Sequence, residues 1–101
     1  MWVFAFFDLP TETKKQRKAY SNFRKSLLKD GFSMLQFSVY TRHCTSYESV
    51  ATHIRHVEKA LPKQGKVSLL TVTDKQFEYM KNYWGVEKVD SPSTPQQLEM
   101  F

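Results

Sequence analysis

The apolar positions of this chain change rhythm several times, and each change predicts an element. Trp2 to Phe7 is a continuous apolar run closed by Asp8 and Pro10. A run of that length bounded by proline reads as a strand buried on both faces, because proline cannot extend a ladder of hydrogen bonds. Thr13-Lys14-Lys15-Gln16 then has the form of a capping box, opening a helix that runs to Asp30-Gly31. Ala19, Tyr20, Phe23 and Leu27 share one side of that helix; Lys14, Arg17, Lys18, Arg24, Lys25 and Lys29 cover the other, with Leu28 inside the basic arc.

From Phe32 to Thr41 the pattern alternates. Leu35, Phe37 and Val39 fall on one side, and Met34, Gln36, Ser38 and Tyr40 on the other. That is strand periodicity, either as one long strand or as two short ones with a bend near Gln36; no Gly or Pro marks the bend. Thr45-Ser46-Tyr47-Glu48 reads as a second capping box, followed by Tyr47, Val50, Ile54, Val57 and Leu61 at helical spacing and by Pro62 as a stop. Lys63-Gln64-Gly65-Lys66 is a turn, and Val67 to Val72 a further strand. Thr73-Asp74-Lys75-Gln76 is a third capping box. It leads into a short helix with Phe77, Met80 and Trp84 on one face and Gly85 after it. Beyond Val86 the chain is polar, with Pro92 and Pro95, and reads as an extended tail. Its last apolar residues, Leu98-Glu99-Met100-Phe101, suit an added edge strand.

The order predicts an α+β fold, the ferredoxin-like βαββαβ pattern with an antiparallel sheet, a short C-terminal helix and a tail strand. The domain spans residues 1–85, and 86–101 form the tail. Both long helices cover one sheet face, yet the first strand is apolar on both. Trp2, Phe4 and Phe6 alternate with Val3, Ala5 and Phe7, and an open aromatic patch is rarely left to water. A second copy of the chain is the simplest cover, with Trp2, Phe4 and Phe6, or their alternates, at the centre of a homodimer; the tail folding back is the other.

Composition sharpens this only in part. The 101 residues suffice for one core, and with 41% hydrophobic residues the chain can fold, so that disorder is not the default reading. A net charge of +5 favours an anionic partner, nucleic acid ahead of membrane. One cysteine, Cys44, excludes an intramolecular disulfide and fits a reducing compartment. The N-terminal apolar run lacks the basic flank and the length of a signal peptide, and no run reaches membrane length, so a cytoplasmic protein is expected.

Few residues carry candidate chemistry. Asp8 stands at the C-terminal end of a buried strand, where ligands commonly bind in open sheets; the plainer reading is a cap for the Leu9-Pro10 turn. The basic helix face reads as a phosphate-binding stripe or as an ordinary solvated surface. His43, His53 and His56 have neither a cysteine pair nor an HExxH pattern beside them, so their spacing carries no zinc site. Cys44 reads as an inert strand-end residue, and Ser38 and Tyr40 as packing and hydroxyl hydrogen bonding near Asp8.

Several blocks together resemble a known family. Phe6-Phe7-Asp8-Leu9-Pro10, Arg17-Lys18-Ala19-Tyr20, Phe23-Arg24-Lys25, Gly31-Phe32, Gln36-Phe37-Ser38-Val39-Tyr40, Leu69-Leu70-Thr71-Val72-Thr73 and Lys75-Gln76-Phe77 are similar, in order, to the small CRISPR-associated adaptation protein of the Cas-two family. The likeness covers roughly residues 2 to 85 and is greatest to members encoded beside single-protein RNA-guided effector nucleases. It implies a ferredoxin-like homodimer packed sheet to sheet, with a C-terminal strand crossing onto the partner. It also implies a role in spacer acquisition, the dimer bridging two dimers of the CRISPR integrase and holding double-stranded DNA. The family is further credited with metal-dependent endonuclease activity on RNA or DNA. Asp8 matches its strand-end aspartate, two copies of which can share one Mg²⁺ across the dimer axis and make Asp8 the catalytic candidate. Many relatives carry an acid after the Ser-Val-aromatic block; this chain has Thr41 there, which weakens the catalytic expectation. A toxin-like nuclease on the same fold is the competing reading.

Overall fold

The computed structural model describes residues 1–92. The elements run β1 (Trp2–Asp8), α1 (Lys14–Lys29), β2 (Ser33–Gln36), β3 (Val39–His43), α2 (Tyr47–Lys59), β4 (Lys66–Val72), α3 (Asp74–Glu78), β5 (Asn82–Trp84) and β6 (Glu87–Val89). The first four strands form one sheet in the order β2-β3-β1-β4, antiparallel throughout, which is the ferredoxin-like βαββαβ arrangement. β1 is central, paired on one side with β3 (Phe4 opposite Thr41) and on the other with β4 (Phe4 opposite Leu70).

Alternation along β1 divides two cores. Val3, Ala5 and Phe7 face the long helices and pack with Phe23, Leu27, Phe32, Tyr40, Val50 and Val57. Trp2 and Phe4 point to the other face, where they meet Phe77 of α3, with Leu35, Val39, Val72 and Met80 around them. The Trp2 and Phe77 rings are stacked, 4.0 Å between centroids and 8° between planes. The second face therefore has a cover from its own chain at the Trp2 end, supplied by α3 and not by either cover the sequence suggested. The cover stops short of Phe6, which stays 37% exposed beside Leu70 at 51%. Burying an aromatic such as Phe77 contributes about 1.5–3 kcal/mol towards holding this short helix against the sheet.

Local signals explain the boundaries. Thr13 accepts from Gln16 N at 3.1 Å while Gln16 Oε1 accepts from Thr13 N at 3.0 Å, a complete capping box. The same reciprocal pair joins Thr73 and Gln76 at the start of α3. The box expected at Thr45 is instead a single cap one residue later, Ser46 accepting from Ser49 N at 3.1 Å, because serine at the third position offers no side chain to reach back. Tyr47 and Leu61, placed on the buried side of α2 by their spacing, are exposed: Tyr47 is at the first turn and Leu61 lies beyond the helix end.

Two further expectations change. The alternating stretch is two strands, β2 and β3, joined by a tight turn at Phe37-Ser38 in which Ser38 takes φ +62°. The third helix is shorter than its spacing suggested, and Trp84 belongs to a β5–β6 hairpin turning at Gly85, φ +64°. The 85/86 boundary between domain and tail falls within that turn. Leu98 to Phe101, expected to add a strand, lie outside the described residues. Among the described residues no helix is long and apolar enough to cross a membrane.

Candidate functional site

Asp8 is the last residue of β1, and its even position puts its side chain on the same face as Phe4 and Phe6. It lies in an open depression lined by Phe6, Phe37, Ser38, Val39, Lys66 and Ser68. Lys66 stands directly opposite in the β1–β4 register. Asp8 is exposed, and among the described residues no donor hydrogen-bonds its carboxylate, so it does not cap the Leu9-Pro10 turn. Two backbone features hold it there. Phe7 N donates to Ser38 O at 3.0 Å, tying the β2–β3 turn to the strand end. On the other side the turn before β4 presses in so closely that a Cβ on Gly65 would lie 2.7 Å from Asp8 O.

Among the described residues the depression contains no second acid and no histidine. Ser38 is beside Asp8 as expected; Tyr40 is not. Tyr40 faces the helices, opposite Ala5, and its hydroxyl accepts from Arg24 Nε at 2.7 Å. Thr41, where relatives were expected to carry an acid, pairs with Phe4 and is buried. It lies four residues along β1 from Asp8, about 13 Å at the rise of a strand, so an acid at 41 would not join Asp8 of the same chain.

The basic side of α1 is solvent-facing, every one of Lys14, Arg17, Lys18, Arg24, Lys25 and Lys29 being exposed or half-buried at most. At the angular step of an α-helix, Lys14, Lys18, Lys25 and Lys29 fall within about 60° of one another and form a straight stripe. The two arginines flank it and are anchored to the fold. Arg17 donates to the carbonyls of Thr11 and Glu12 at 3.1 and 3.0 Å, and Arg24 to Tyr40. The lysines are thus free to meet a ligand, while Arg17 stiffens the loop before α1 and Arg24 ties the helix to β3.

The histidines find acidic partners that spacing alone did not reveal. His43 Nε2 lies 3.1 Å from Asp74 Oδ1, which also accepts from the Met1 amine at 2.6 Å. Burial by itself would raise the Asp74 carboxyl, but the amine's hydrogen bond and charge, reinforced by His43, outweigh it and hold Asp74 below its ordinary value. His53 and His56 both meet Asp30 at the end of α1. Cys44 is buried, as its inert reading requires.

The sequence profile of the CRISPR associated protein Cas2 family matches residues 1–80, the whole four-stranded sheet with its helices. The chain belongs to the Cas2 family. A relative from Parvibaculum lavamentivorans, named CRISPR-associated endoribonuclease Cas2, is 50% identical over 101 residues, all of both chains. One of the same name from Flavobacterium psychrophilum is 48% identical over 101 residues, all of this chain and 88% of the relative. Another, from Streptococcus mutans, is 45% identical over 80 residues, 79% of this chain and 73% of the relative. The Cas2 profile ends before β5, so the aromatic hairpin lies beyond it, although the first two relatives align through the hairpin to residue 101.

Proposed function

We propose that two copies of this Cas2-family chain form a scaffold that holds double-stranded DNA during CRISPR spacer acquisition and bridges two dimers of the integrase. The observation that carries this reading is the lysine stripe of α1. It lies on the helical layer, whereas the exposed Phe6 and Leu70 lie on the opposite sheet face. Pairing through the sheet therefore leaves both stripes outward, doubled by symmetry and able to follow the two strands of a duplex. Contacts of lysine with phosphate hold a duplex without reading its sequence.

A second reading is favoured by the relatives' names and by the unpartnered Asp8: a metal-dependent endonuclease acting on RNA or DNA, toxin-like in the cell. One Asp8 is too little for Mg²⁺, which takes one or two carboxylates together with waters and phosphate oxygens. Because Asp8 shares the face of Phe6, sheet-to-sheet pairing would bring two Asp8 carboxylates to one interface, and that pair fits the ion. Mg²⁺ held there would polarise a phosphodiester. Asp8 would hold the ion and the neighbouring Lys66 would attract the phosphate. With no second acid, histidine or general base in the depression, chemistry is the weaker function of the two.

Acquisition of new spacers in cells separates them. Lys14→Ala/Lys18→Ala/Lys25→Ala should abolish acquisition, while Asp8→Asn, nearly the same size, should leave it intact even if cleavage by the purified protein disappears. Loss of acquisition in Asp8→Asn with a normally folded dimer would overturn the scaffold reading in favour of the enzyme.

A further inference from the structure

One group of metal-ligating side chains lies well away from Asp8, at the far end of α1. The helix is 16 residues long, which separates its ends by about 24 Å. Asp30 caps its C-terminus, and His53 and His56 stand one turn apart on the adjoining stretch of α2. Each imidazole turns Nδ1 to the same carboxylate, His53 at 2.8 Å from Oδ2 and His56 at 2.6 Å from Oδ1. One ligand atom from each of the three residues lies within 4.8 Å of the others. The Asp30 and His53 side chains are only 17% and 14% exposed, whereas His56, at 47%, opens the group to solvent.

We infer that Asp30, His53 and His56 form a binding site for a transition-metal ion, Zn²⁺ foremost, that ties the end of α1 to α2. Two imidazole nitrogens with one carboxylate oxygen suit Zn²⁺, Ni²⁺ or Cu²⁺, while Mg²⁺ prefers oxygen alone. Zinc sits about 2.0–2.2 Å from such atoms, so each N–O pair need widen only by roughly half an ångström to admit it. Each ring would bind the ion through Nδ1 as a neutral imidazole with its one proton on Nε2, any further proton being released to solvent. Water reaches the fourth position past His56. The partial negative charge at the C-terminus of α1 favours a cation there. Arg42 donates to the backbone carbonyls of Asp30 and His43 at 2.8 and 2.6 Å and leaves both carboxylate oxygens to the imidazoles. Zinc bound this way would link two helices through residues 23 and 26 positions apart from Asp30, and would stabilise the helical layer under the DNA-facing stripe.

The test uses the full chain stripped with EDTA and titrated with ZnCl₂ by calorimetry and thermal unfolding. One Zn²⁺ per chain should bind, unaffected by a large excess of Mg²⁺. At a hundredfold excess over Kd it should raise Tm by about 10 °C or more. His56→Gln, at an exposed position that need not disturb folding, and Asp30→Asn should each weaken binding at least tenfold. His43→Gln should bind as the parent does. In the NMR spectrum Zn²⁺ should move the ring signals of His53 and His56 and leave those of His43 in place, a readout that needs no variant. Absence of saturable binding, undiminished affinity in His56→Gln, or ring shifts confined to His43 would each overturn the site.

Discussion

At the scale of single residues, the strand end that carries Asp8 depends on a glycine. Gly65 takes φ +91°, a conformation that other residues rarely adopt, and its bare Cα lets the turn before β4 close against Asp8 O and Leu9. Gly65→Ala combines backbone strain with a clash that the backbone cannot relieve without moving Asp8. We expect a loss of about 1–2 kcal/mol or more in chemical denaturation, together with shifted amide resonances at residues 8–10; unchanged stability would show that the turn has room to relax. Asp74 gives a second prediction, in acid. Its carboxyl is held below the ordinary value in the folded chain, so the stability it contributes is present above the unfolded carboxylate range, near pH 3.9, and is lost as pH falls through the folded value. Asp74→Asn should therefore flatten the decline of Tm in the acid limb below about pH 4. A decline as steep as that of the parent would mean that other carboxylates govern acid unfolding.

At the scale of elements, α1 sets an apolar packing face against the basic face proposed to bind DNA, and the two can be separated by experiment. Phe23 and Leu27 bury its inner face, while Lys14, Lys18, Lys25 and Lys29 extend outward. Replacing Lys14, Lys18 and Lys25 by alanine leaves both cores intact, so Tm should hardly change while affinity for duplexes of any sequence falls. For every lysine–phosphate pairing removed, the slope of log K against log salt should drop by about 0.9; an unchanged slope would place the DNA path elsewhere. This helix was also the most legible part of the sequence, because capping box, amphipathic period and glycine stop all act within a few residues of one another. The turn between β2 and β3 was not legible: Ser38 adopts a left-handed conformation usually marked by Gly or Asn, and nothing local announces it. Trp84 misled for a different reason, since its spacing from Phe77 and Met80 matches a helix that in fact stops at Glu78. The Asp30 cluster was hidden because only the docking of α2 beside the end of α1 brings its members together.

At the scale of the whole molecule, the decisive feature is a sheet face that, among the described residues, is covered at one end. Trp2 and Phe4 lie beneath Phe77, so their part in any interface is indirect; Phe6 and Leu70 remain open on the same face as Asp8. Half a covered sheet suits a partner better than a full one would, because α3 already fixes the Trp2 end in place and leaves a defined apolar step beside it. A second copy fitted against that step would bury Phe6 and Leu70 and set the lysine stripes facing outward on opposite flanks. Light scattering at micromolar concentration should accordingly give twice the chain mass. Phe6→Asp/Leu70→Asp should give a folded monomer, because both side chains are already partly in water and their removal creates no cavity in either core. That monomer should bind duplex DNA more weakly than the parent although every lysine of α1 is intact, since two stripes held in one particle act together while two free ones do not. A parent chain that stays monomeric and soluble under these conditions would remove the geometric basis for both the bridging scaffold and the shared Asp8 site, and would leave the basic helix as a single-chain DNA contact.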